Sequence, residues 1–418
     1  MSDTQCAFIV PKKGRRCRLR QVSGSRYCGE HIVLSSSEDS GHDRIVCPLD
    51  STHTCSAALL SQHLKKCNAK RKENHEFFIR NINSGTPSLS GGCVTTKPTL
   101  KDIGDERLWE VIHKIDKIFD ERVPLPEQHV RLHEAFSTEL RTLSGCAVAE
   151  KHLTQKAALL GLAEHHGLLA RESCFIEFGA GRGRLSYWLA KILPGEGCRF
   201  LLIDKAASRH KFENKLKREQ ADVPDIRRLQ VDIQHLCLGK VDLVRAHQGK
   251  LVGLCKHLCG EATDFALRCL VETASDASSR AQAFRGVLMA TCCHHRCRWD
   301  SFVGRPFLES LGLDRMDFEL LICLAGWATC TAREARAAAV VNSDHCVPQE
   351  PSAAVNRYVR MGLSVGRREE VGRRCKLLLD EARARYLGSA TTLSAARLVH
   401  FVARDVTPEN VAILATSS

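Results

Sequence analysis

Nowhere does the sequence contain the run of roughly 20 apolar residues that a membrane-spanning helix requires. The N-terminal stretch MSDTQCAFIVPKKGRRCRLR also lacks the apolar core of a secretory signal. We therefore expect a soluble intracellular protein of the nucleus or the cytoplasm, with no membrane partner. The 418 residues allow one large domain with small accessory units, and nothing in the sequence indicates an oligomeric state.

Acidic residues are in deficit. There are 48 Asp and Glu against 61 Lys and Arg, which gives a formal charge of +13. Such a surplus attracts phosphate backbones without choosing a sequence, although a soluble protein can also simply be basic. Part of it lies near the N-terminus, in residues that could contact phosphate or form a solvated face: Lys12, Lys13, Arg15, Arg16, Lys65, Lys66, Lys70 and Arg71.

Cysteine, by contrast, is abundant at 21 residues. Without a secretion signal, metal ligation or buried thiols explain it better than disulfides. A first cluster, within residues 1–34, is spaced C-x10-C-x10-C-x2-H and consists of Cys6, Cys17, Cys28 and His31. A CCCH set suits tetrahedral zinc, and the segment holds too few large apolar residues to build a core without metal.

A second cluster, within residues 44–70, consists of Cys47, His53, His63 and Cys67. His63 and Cys67 are four residues apart and therefore share one face of a helix. The order resembles the CHHC finger of a minor-spliceosome protein and of tRNA-modifying enzymes. The sequence thus predicts one zinc ion in each of two fingers, followed by a linker rich in Gly, Ser, Pro and Thr over residues 71–101.

From residue 102 to residue 418 helical and strand patterns follow one another. Apolar residues at helical spacing predict helices over 103–122, 132–143 and 154–165. Strands that then alternate with helices predict an α/β fold with a parallel, doubly wound sheet of seven strands, the last two close together. The predicted strands are 174–178, 200–203, 229–231, 251–254, 287–290, 398–402 and 411–414, and the helices between them are 185–193, 209–219 and 262–273.

A glycine-rich loop follows the first predicted strand of this sheet and opens a helix. Gly179, Gly181 and Gly183 form GxGxG, and glycine lets the backbone approach a ligand closely at a helix N-terminus. A dinucleotide-binding loop would read GxGxxG instead. With Glu177 ahead of it, the loop resembles motif I of methyltransferases, which holds the methionine part of S-adenosylmethionine, and seven strands suit the Rossmann-like class I form of that fold.

Two acidic residues end the next two predicted strands. Asp204 can accept both ribose hydroxyls of such a cofactor, and Asp232 can face its adenine. Each could also be a solvated acid at a strand end. Because they follow the loop in the expected order, we predict that Glu177, the three loop glycines, Asp204 and Asp232 bind the cofactor.

Two further motifs stand at the carboxyl ends of the fourth and fifth strands, where open α/β sheets bind their ligands. In CKHLCGEATD, Lys256 and His257 are candidate catalytic residues that handle a hydroxyl proton, although Lys256 could instead pair with Asp264 and only shape the loop. The N/D-P-P-Y motif, typical of enzymes that methylate base amino groups, is missing. The second motif, CCHHRC, spans residues 292–297 and faces substrate or holds a third metal. Four consecutive ligands cannot easily surround one ion, which argues against zinc there and leaves His294 and His295 as weaker catalytic candidates.

The two fingers, EFGAGRGRLS, KHLCGEATD and CCHHRC together resemble the eukaryotic Trm-thirteen-type tRNA methyltransferases over nearly the whole chain. The resemblance implies an enzyme with S-adenosylmethionine and zinc as cofactors. It would methylate the ribose 2′-hydroxyl of the fourth nucleotide in the tRNA acceptor stem, with the fingers gripping tRNA. Glu261 and Phe302 depart from the family pattern, and the Ala- and Arg-rich tail after Ala332 is its least family-like part.

Two other classes of function stay open. The chain could be an RNA-binding zinc-finger adaptor with a catalytically inactive methyltransferase domain, since CHHC fingers occur in non-enzymes. The intact GxGxG loop and Asp204 favour the enzyme. Methylation of a small molecule, with the fingers used for assembly, fits the basic N-terminus less well.

Overall fold

The structure, a computed structural model, describes most of the chain: residues 4–10, 15–32, 44–67, 75–85, 99–143, 145–208, 211–219, 224–275, 284–330, 353–391 and 393–417. It divides into two compact units, residues 1–74 and 75–418. No helix in the described part is long and apolar enough to cross a membrane. Outside it lie four of the predicted phosphate-contacting residues, Lys12, Lys13, Lys70 and Arg71, and the tail segment 331–352.

Unit 1 holds two small modules, each built around one of the predicted ligand clusters. In the first, β1 (Ile9–Val10) pairs antiparallel with β2 (Arg15–Arg16). In the second, β3 (Arg44–Cys47) pairs antiparallel with β4 (Asp50–Ser56), and α1 (Leu60–Lys66) follows. The buried cluster of the first module consists of its three cysteines with three partly buried apolar side chains against them. That is too little apolar surface to hold a fold by itself.

Arg44 connects the two modules of unit 1. Its Nε donates to the carbonyl oxygen of Gly29 at 2.9 Å, and its Nη2 donates to that of Thr54 at 2.8 Å. The backbone N–H of Thr54 donates back across the junction to Glu30 Oε2 at 2.8 Å. The two modules are therefore docked on one another through polar contacts.

Unit 2 is built on an eight-stranded sheet. Its strands are β5 (Glu127–Gln128), β6 (Cys174–Phe178), β7 (Arg199–Asp204), β8 (Asp225–Gln230), β9 (Leu251–Cys259), β10 (Phe284–Cys292), β11 (Ser394–His400) and β12 (Val411–Thr416). They lie in the order β5-β11-β12-β10-β9-β6-β7-β8. Strands β6 to β10 are parallel, and β12 is antiparallel to both its neighbours, so the predicted α/β fold with a parallel-dominated sheet is confirmed.

Helices cover both faces of this sheet. They are α2 (Asp105–Arg122), α3 (Ser137–Thr142), α4 (Ala147–His165), α5 (Arg184–Ile192), α6 (Phe212–Glu219), α7 (Asp242–Arg245), α8 (Glu261–Ser275), α9 (Arg305–Ser310), α10 (Arg315–Ala325), α11 (Ala353–Arg360) and α12 (Val365–Ala390). Side chains alternate along β6. Ile176 and Phe178 pack in one core with α2, α8, α10 and α12, whereas Phe175 packs in a second core with α4 and α5.

Several elements differ from the sequence prediction. The helix predicted over 132–143 is a 3₁₀ turn, Glu134–Phe136, followed by the short α3, and α4 begins at Ala147 rather than at residue 154. The prediction missed strand β5, the short helix α7 and helices α9 to α12. Helix α12 buries charged as well as apolar residues, so its sequence lacks the apolar stripe by which a helix is recognised.

Part of the predicted linker packs on unit 2 instead. Asn83 is fully buried, and its Nδ2 donates to the carbonyl oxygens of Ile233 and Leu236 at 2.7 and 2.8 Å. Phe78 forms an isolated β-bridge with Leu236. Residues 75–85 are therefore an ordered part of unit 2, because one buried amide supplies hydrogen bonds that the turn-rich composition did not reveal.

A buried ion network joins α12 to the edge at which β9 and β10 end. Arg383 Nη2 donates to Asp264 Oδ2 at 2.7 Å, and Arg383 Nη1 donates to Asp380 Oδ1 at 3.1 Å. The side chains of Arg383 and Asp264 are 0% exposed. Asp380 Oδ2 also accepts from Thr291 Oγ1 at 2.7 Å and lies 2.9 Å from His294 Nε2. The network thus ties both strand ends to one helix.

Arg383 also holds the backbone of the motif that follows β9. Its Nη2 donates to the carbonyl oxygen of Gly260 at 3.1 Å. Asp264, which the sequence offered as a partner for Lys256, pairs with Arg383 instead. The acid of KHLCGEATD therefore anchors the motif to α12.

Replacing Arg383 with Met should destabilise unit 2 by about 3–5 kcal/mol, because two buried carboxylates then lose their cation. Chemical denaturation followed by tryptophan fluorescence measures this. The matched control is Arg385→Met on the same helix. Arg385 is 49% exposed and pairs with Glu381, so its loss should cost under about 1 kcal/mol. Equal denaturation midpoints for the two variants would contradict the importance of the network.

Candidate cofactor and catalytic site

The glycine loop between β6 and α5 has three left-handed glycines. Their φ angles are +66° at Gly179, +52° at Gly181 and +76° at Gly183. A Cβ at Gly179 would come within 2.9 Å of Leu258 Cδ1, and one at Gly183 within 2.7 Å of Leu202 Cδ2. A Cβ at Gly181 would meet nothing within 4 Å. Two glycines are thus required by close packing, and the third faces open space in which a ligand fits.

An arginine that the sequence analysis missed clamps this loop. Arg228, on β8, donates from Nη1 to the carbonyl oxygen of Gly181 at 2.7 Å. Its Nε and Nη2 donate to the two carboxylate oxygens of Glu213 at 2.7 and 3.1 Å. Although burial opposes it, the hydrogen bond from Arg228 lowers the pKa of Glu213. A contact between β8 and α6 leaves no local pattern in the sequence, so the sequence did not predict the role of Arg228.

Glu177, predicted to bind the cofactor, contacts the first turn of α5. Its side chain is buried and accepts hydrogen bonds from the backbone N–H of Ser186, at 3.0 Å, and from the Ser186 hydroxyl. Burial raises the pKa of Glu177 to about 7, although the bonds from Ser186 oppose the shift. Its carboxylate holds the first turn of α5, which directly follows the loop, and its predicted role in cofactor binding stays a prediction.

The two predicted strand-end acids lie beside the loop. Asp204 accepts from the backbone N–H of Gly181 at 2.7 Å and of Ala206 at 2.8 Å. Asp232 lies 2.7 Å from Lys205 Nζ, and it accepts from the N–H of Gln234 at 3.1 Å. Asp204 is partly exposed and directly contacts the open glycine, so it can bind a ligand there. Asp232 is half-buried at the end of the neighbouring strand.

Gly181→Ala should weaken S-adenosylmethionine binding at least tenfold, because the added methyl group enters the open space and strains a left-handed residue by about 1–2 kcal/mol. Asp204→Ala should have a similar effect, since the loop loses its anchor. Isothermal titration calorimetry measures both. Gly167→Ala is the matched control, because Gly167 has φ +65° and open space but lies outside the loop. Unchanged affinity in both test variants would show that the site is misplaced.

The predicted catalytic pair lies on a bulge in β9. Residues Ala290 and Thr291 of β10 pair with Lys256 and Leu258, so His257 is the extra residue, and its φ is +67°. Bulges of this kind redirect side chains at the ends of strands. Lys256 Nζ donates to His257 Nε2 at 2.7 Å. The strand therefore continues through the motif, and the two side chains meet at its carboxyl end, where open α/β sheets bind their ligands.

Cationic groups surround this pair. Burial and, after it, the nearby charge of Lys256 lower the pKa of Lys156, on α4, to about 7. Desolvation likewise lowers the pKa of Lys256 to about 8. Desolvation and the charge of Lys256 lower the pKa of His257 to about 4. Arg184 adds to the positive potential at both lysines. Lys156, which the sequence analysis missed, makes this a site suited to negative charge.

The two weaker catalytic candidates differ in their surroundings. His294 is 2% exposed and lies against Asp380 in the ion network. His295 is exposed at the surface. Neither histidine lies on the bulge of β9 that carries Lys256 and His257.

In the first module of unit 1 the predicted zinc ligands converge. His31 Nδ1 lies 3.3 Å from Cys28 Sγ and 3.6 Å from Cys6 Sγ, and Cys17 Sγ lies 4.0 Å from Cys28 Sγ. All four ligand atoms lie within 4.8 Å of one another. The ring of His31 stacks on Phe8 at 4.0 Å between centroids, which orients Nδ1 toward the thiols.

The second module gathers its four predicted ligands in the same way. Cys47 Sγ lies 3.7 Å from Cys67 Sγ and 3.2 Å from His63 Nε2, and His53 Nε2 lies 3.4 Å from Cys67 Sγ. Helix α1 supplies His63, and Cys67 directly follows it. Both donor sets have the number and chemistry that tetrahedral zinc requires.

Cys28→Ser and Cys67→Ser should each lower the zinc content of the full chain by one ion, because each removes one ligand from a different four-ligand set. Each variant should also unfold its own module, which has little core without metal. Elemental analysis gives the zinc content, and hydrogen exchange gives the folding of each module. An unaltered zinc content in either variant would contradict that ligand set.

A glycine loop after β6, acids at the ends of β7 and β8, and an antiparallel strand inserted beside β10 define unit 2 as a methyltransferase of the Rossmann-like class. Comparison with known families identifies the particular family. The family model described as "Methyltransferase TRM13" matches residues 154–416, more than half of the chain. The chain belongs to the TRM13 methyltransferase family, and the predicted resemblance is confirmed.

Two further matches cover unit 1. The model "CCCH zinc finger in TRM13 protein" matches residues 4–32, and "U11-48K-like CHHC zinc finger" matches residues 44–68. The predicted finger types and zinc are therefore confirmed. Membership of a methyltransferase family agrees with S-adenosylmethionine as the other predicted cofactor.

Named relatives are similar over nearly their full length. The "tRNA:m(4)X modification enzyme TRM13 homolog" of Mus musculus is 34% identical, with 92% of this chain and 89% of that protein covered. The Homo sapiens protein of the same name is 32% identical with the same coverage. The "tRNA:m(4)X modification enzyme TRM13" of Saccharomyces cerevisiae is 28% identical, with 98% and 95% covered.

Proposed function

We propose that this chain is an S-adenosylmethionine-dependent tRNA methyltransferase that methylates the ribose 2′-hydroxyl of the fourth nucleotide in the acceptor stem. Its relatives are named as tRNA modification enzymes, and the similarity covers nearly the whole of their length. This supports tRNA as the substrate. The proposal of a ribose hydroxyl rests on the side chains at the end of β9. The acceptor-stem position rests on the family resemblance of the sequence, and the enzyme acts in the nucleus or the cytoplasm.

The residues around the glycine loop fit S-adenosylmethionine. Gly181 leaves open space where a Cβ would otherwise project, and the Asp204 carboxylate lies 2.7 Å from its backbone nitrogen. A carboxylate at the end of the second strand is suited to ribose hydroxyls, and Asp232 would face the adenine. When bound, the cofactor supplies a methyl group already activated by a sulfonium. What remains for the protein is to orient the acceptor oxygen and handle its proton.

The observation that carries the proposal is the position of Lys256. This residue is half-buried at the carboxyl end of β9, beside the glycine loop that Leu258 contacts. A ribose hydroxyl is a poor nucleophile near neutral pH, so a nearby cation that stabilises the developing oxyanion, or a group that accepts the proton, accelerates attack. Lys256 can serve in either way, and His257, in hydrogen-bond contact with it, is the second candidate.

The surrounding charge favours RNA over a small neutral substrate. The charges of Lys256 and Arg184 both act on Lys156, and this local positive potential suits a phosphodiester next to the target ribose. We also propose that the two fingers of unit 1 contact tRNA through exposed basic side chains such as Arg16 and Lys65. The alternative, an adaptor with an inactive domain, gives no reason for the open face at Gly181.

Lys256→Ala should retain cofactor and tRNA affinity but lose most single-turnover methylation, by roughly 100-fold or more for a group that handles the proton. Rapid-quench assays with saturating enzyme measure this. Lys250→Ala, just before the opposite end of β9, is the matched control and should retain full activity. A shifted pH–rate profile in Lys256→Arg would distinguish proton transfer from charge stabilisation. Full activity of Lys256→Ala would remove this residue from the mechanism.

The reaction product tests the ribose assignment separately. The modified linkage should resist alkaline hydrolysis, because a methylated 2′-oxygen cannot attack the neighbouring phosphate. Digestion of the product with alkali should therefore release an intact dinucleotide that carries the transferred methyl group. Release of the transferred methyl group on a mononucleotide would show that a base is methylated instead.

A further inference from the structure

Three thiols meet at the edge of the sheet where β9 and β10 end. Cys259 and Cys292 are the last residues of these two strands and pair directly in register. Their sulfur atoms lie 3.8 Å apart. Cys293 follows at once, with φ +52°, and its sulfur lies within 4.8 Å of both others. Two motifs that are separate in sequence therefore form one cluster of soft ligands.

We propose that Cys259, Cys292 and Cys293 bind a third zinc ion. Tetrahedral zinc with Zn–S bonds of about 2.3 Å places its sulfur ligands about 3.8 Å apart. The Cys259–Cys292 separation, 3.8 Å, has this value. It also lies between the separations in the two fingers, which are 3.7 Å for Cys47 and Cys67 and 4.0 Å for Cys17 and Cys28.

The ligand set removes the objection that consecutive residues crowd a metal. Of the CCHHRC motif, only Cys292 and Cys293 take part. His294 lies against Asp380, and Cys297 Sγ accepts from Arg383 Nη2 at 3.1 Å in the buried ion network. The third thiol comes from the neighbouring strand. The left-handed backbone at Cys293 allows two adjacent residues to direct their sulfur atoms toward one point, since an extended strand would direct them to opposite faces.

The three thiols are the ligand-type side chains gathered here among the described residues, which leaves the fourth position of a tetrahedron to water or another small oxygen ligand. Zinc sites with three protein ligands and one exchangeable position differ from the closed sites of fingers. Such an ion would join the ends of β9 and β10 directly beside Lys256. It would fix the bulged segment from Lys256 to Cys259. This role does not depend on which substrate is methylated.

Zinc analysis of the full chain tests the proposal. Protein purified under reducing conditions should contain three zinc ions per chain, and Cys259→Ser should contain two. Cys255→Ser is the matched control, because Cys255 is buried on the same strand but belongs to no ligand cluster among the described residues, and it should retain three. Two ions in the unaltered chain, or three in Cys259→Ser, would overturn the proposal.

A second measurement needs no variant. Cys293 and Cys237 are both half-buried, and only Cys293 belongs to the cluster. Brief maleimide labelling, mapped by mass spectrometry, should modify Cys293 much faster after a zinc chelator is added, whereas labelling of Cys237 should not change. Equal labelling of Cys293 with and without chelator would overturn the proposal, as would a Cys259–Cys292 disulfide found under reducing conditions. Methylation activity is not part of either readout, so failure here leaves the proposed tRNA reaction standing.

Discussion

The buried pairing of Arg383 with Asp264 and Asp380 is the interaction on which the geometry of the site depends. Burying these three charged groups costs desolvation free energy, and their mutual attraction offsets that cost only when every partner is in place. Through Asp264 it fixes the segment after β9, and through Asp380 it fixes His294 after β10. The two strand ends that carry Lys256 and the thiol cluster are therefore positioned by a helix that lies far away in the sequence.

A second set of contacts holds the cofactor loop from behind. Arg228 binds the loop carbonyl, and Glu177 binds the first turn of α5. Both side chains are withdrawn from the open face of Gly181, which is left to the ligand and to Asp204. A rigid loop with one open glycine is preorganised for binding, so little ordering accompanies cofactor capture.

Local patterns in the sequence predicted the two finger ligand sets, the seven main strands and the glycine loop, since spacing and periodicity are visible in short windows. The prediction failed where contacts join distant segments. It did not show that Glu177 is buried against α5. It missed Arg228 and Arg383, whose partners lie elsewhere in the chain. It also considered the CCHHRC motif without Cys259, because only the pairing of β9 with β10 shows that this thiol lies beside Cys292.

We propose that the chain is one enzyme in which the fingers bind tRNA and the sheet edge transfers a methyl group to ribose. Mass-spectrometric mapping of tRNA from cells that lack the protein tests this claim most directly. We expect loss of 2′-O-methylation at the fourth nucleotide of the acceptor stem in a subset of tRNAs, restored by the unaltered chain but not by Gly181→Ala. An unchanged fourth nucleotide, or loss of a base methylation instead, would contradict it.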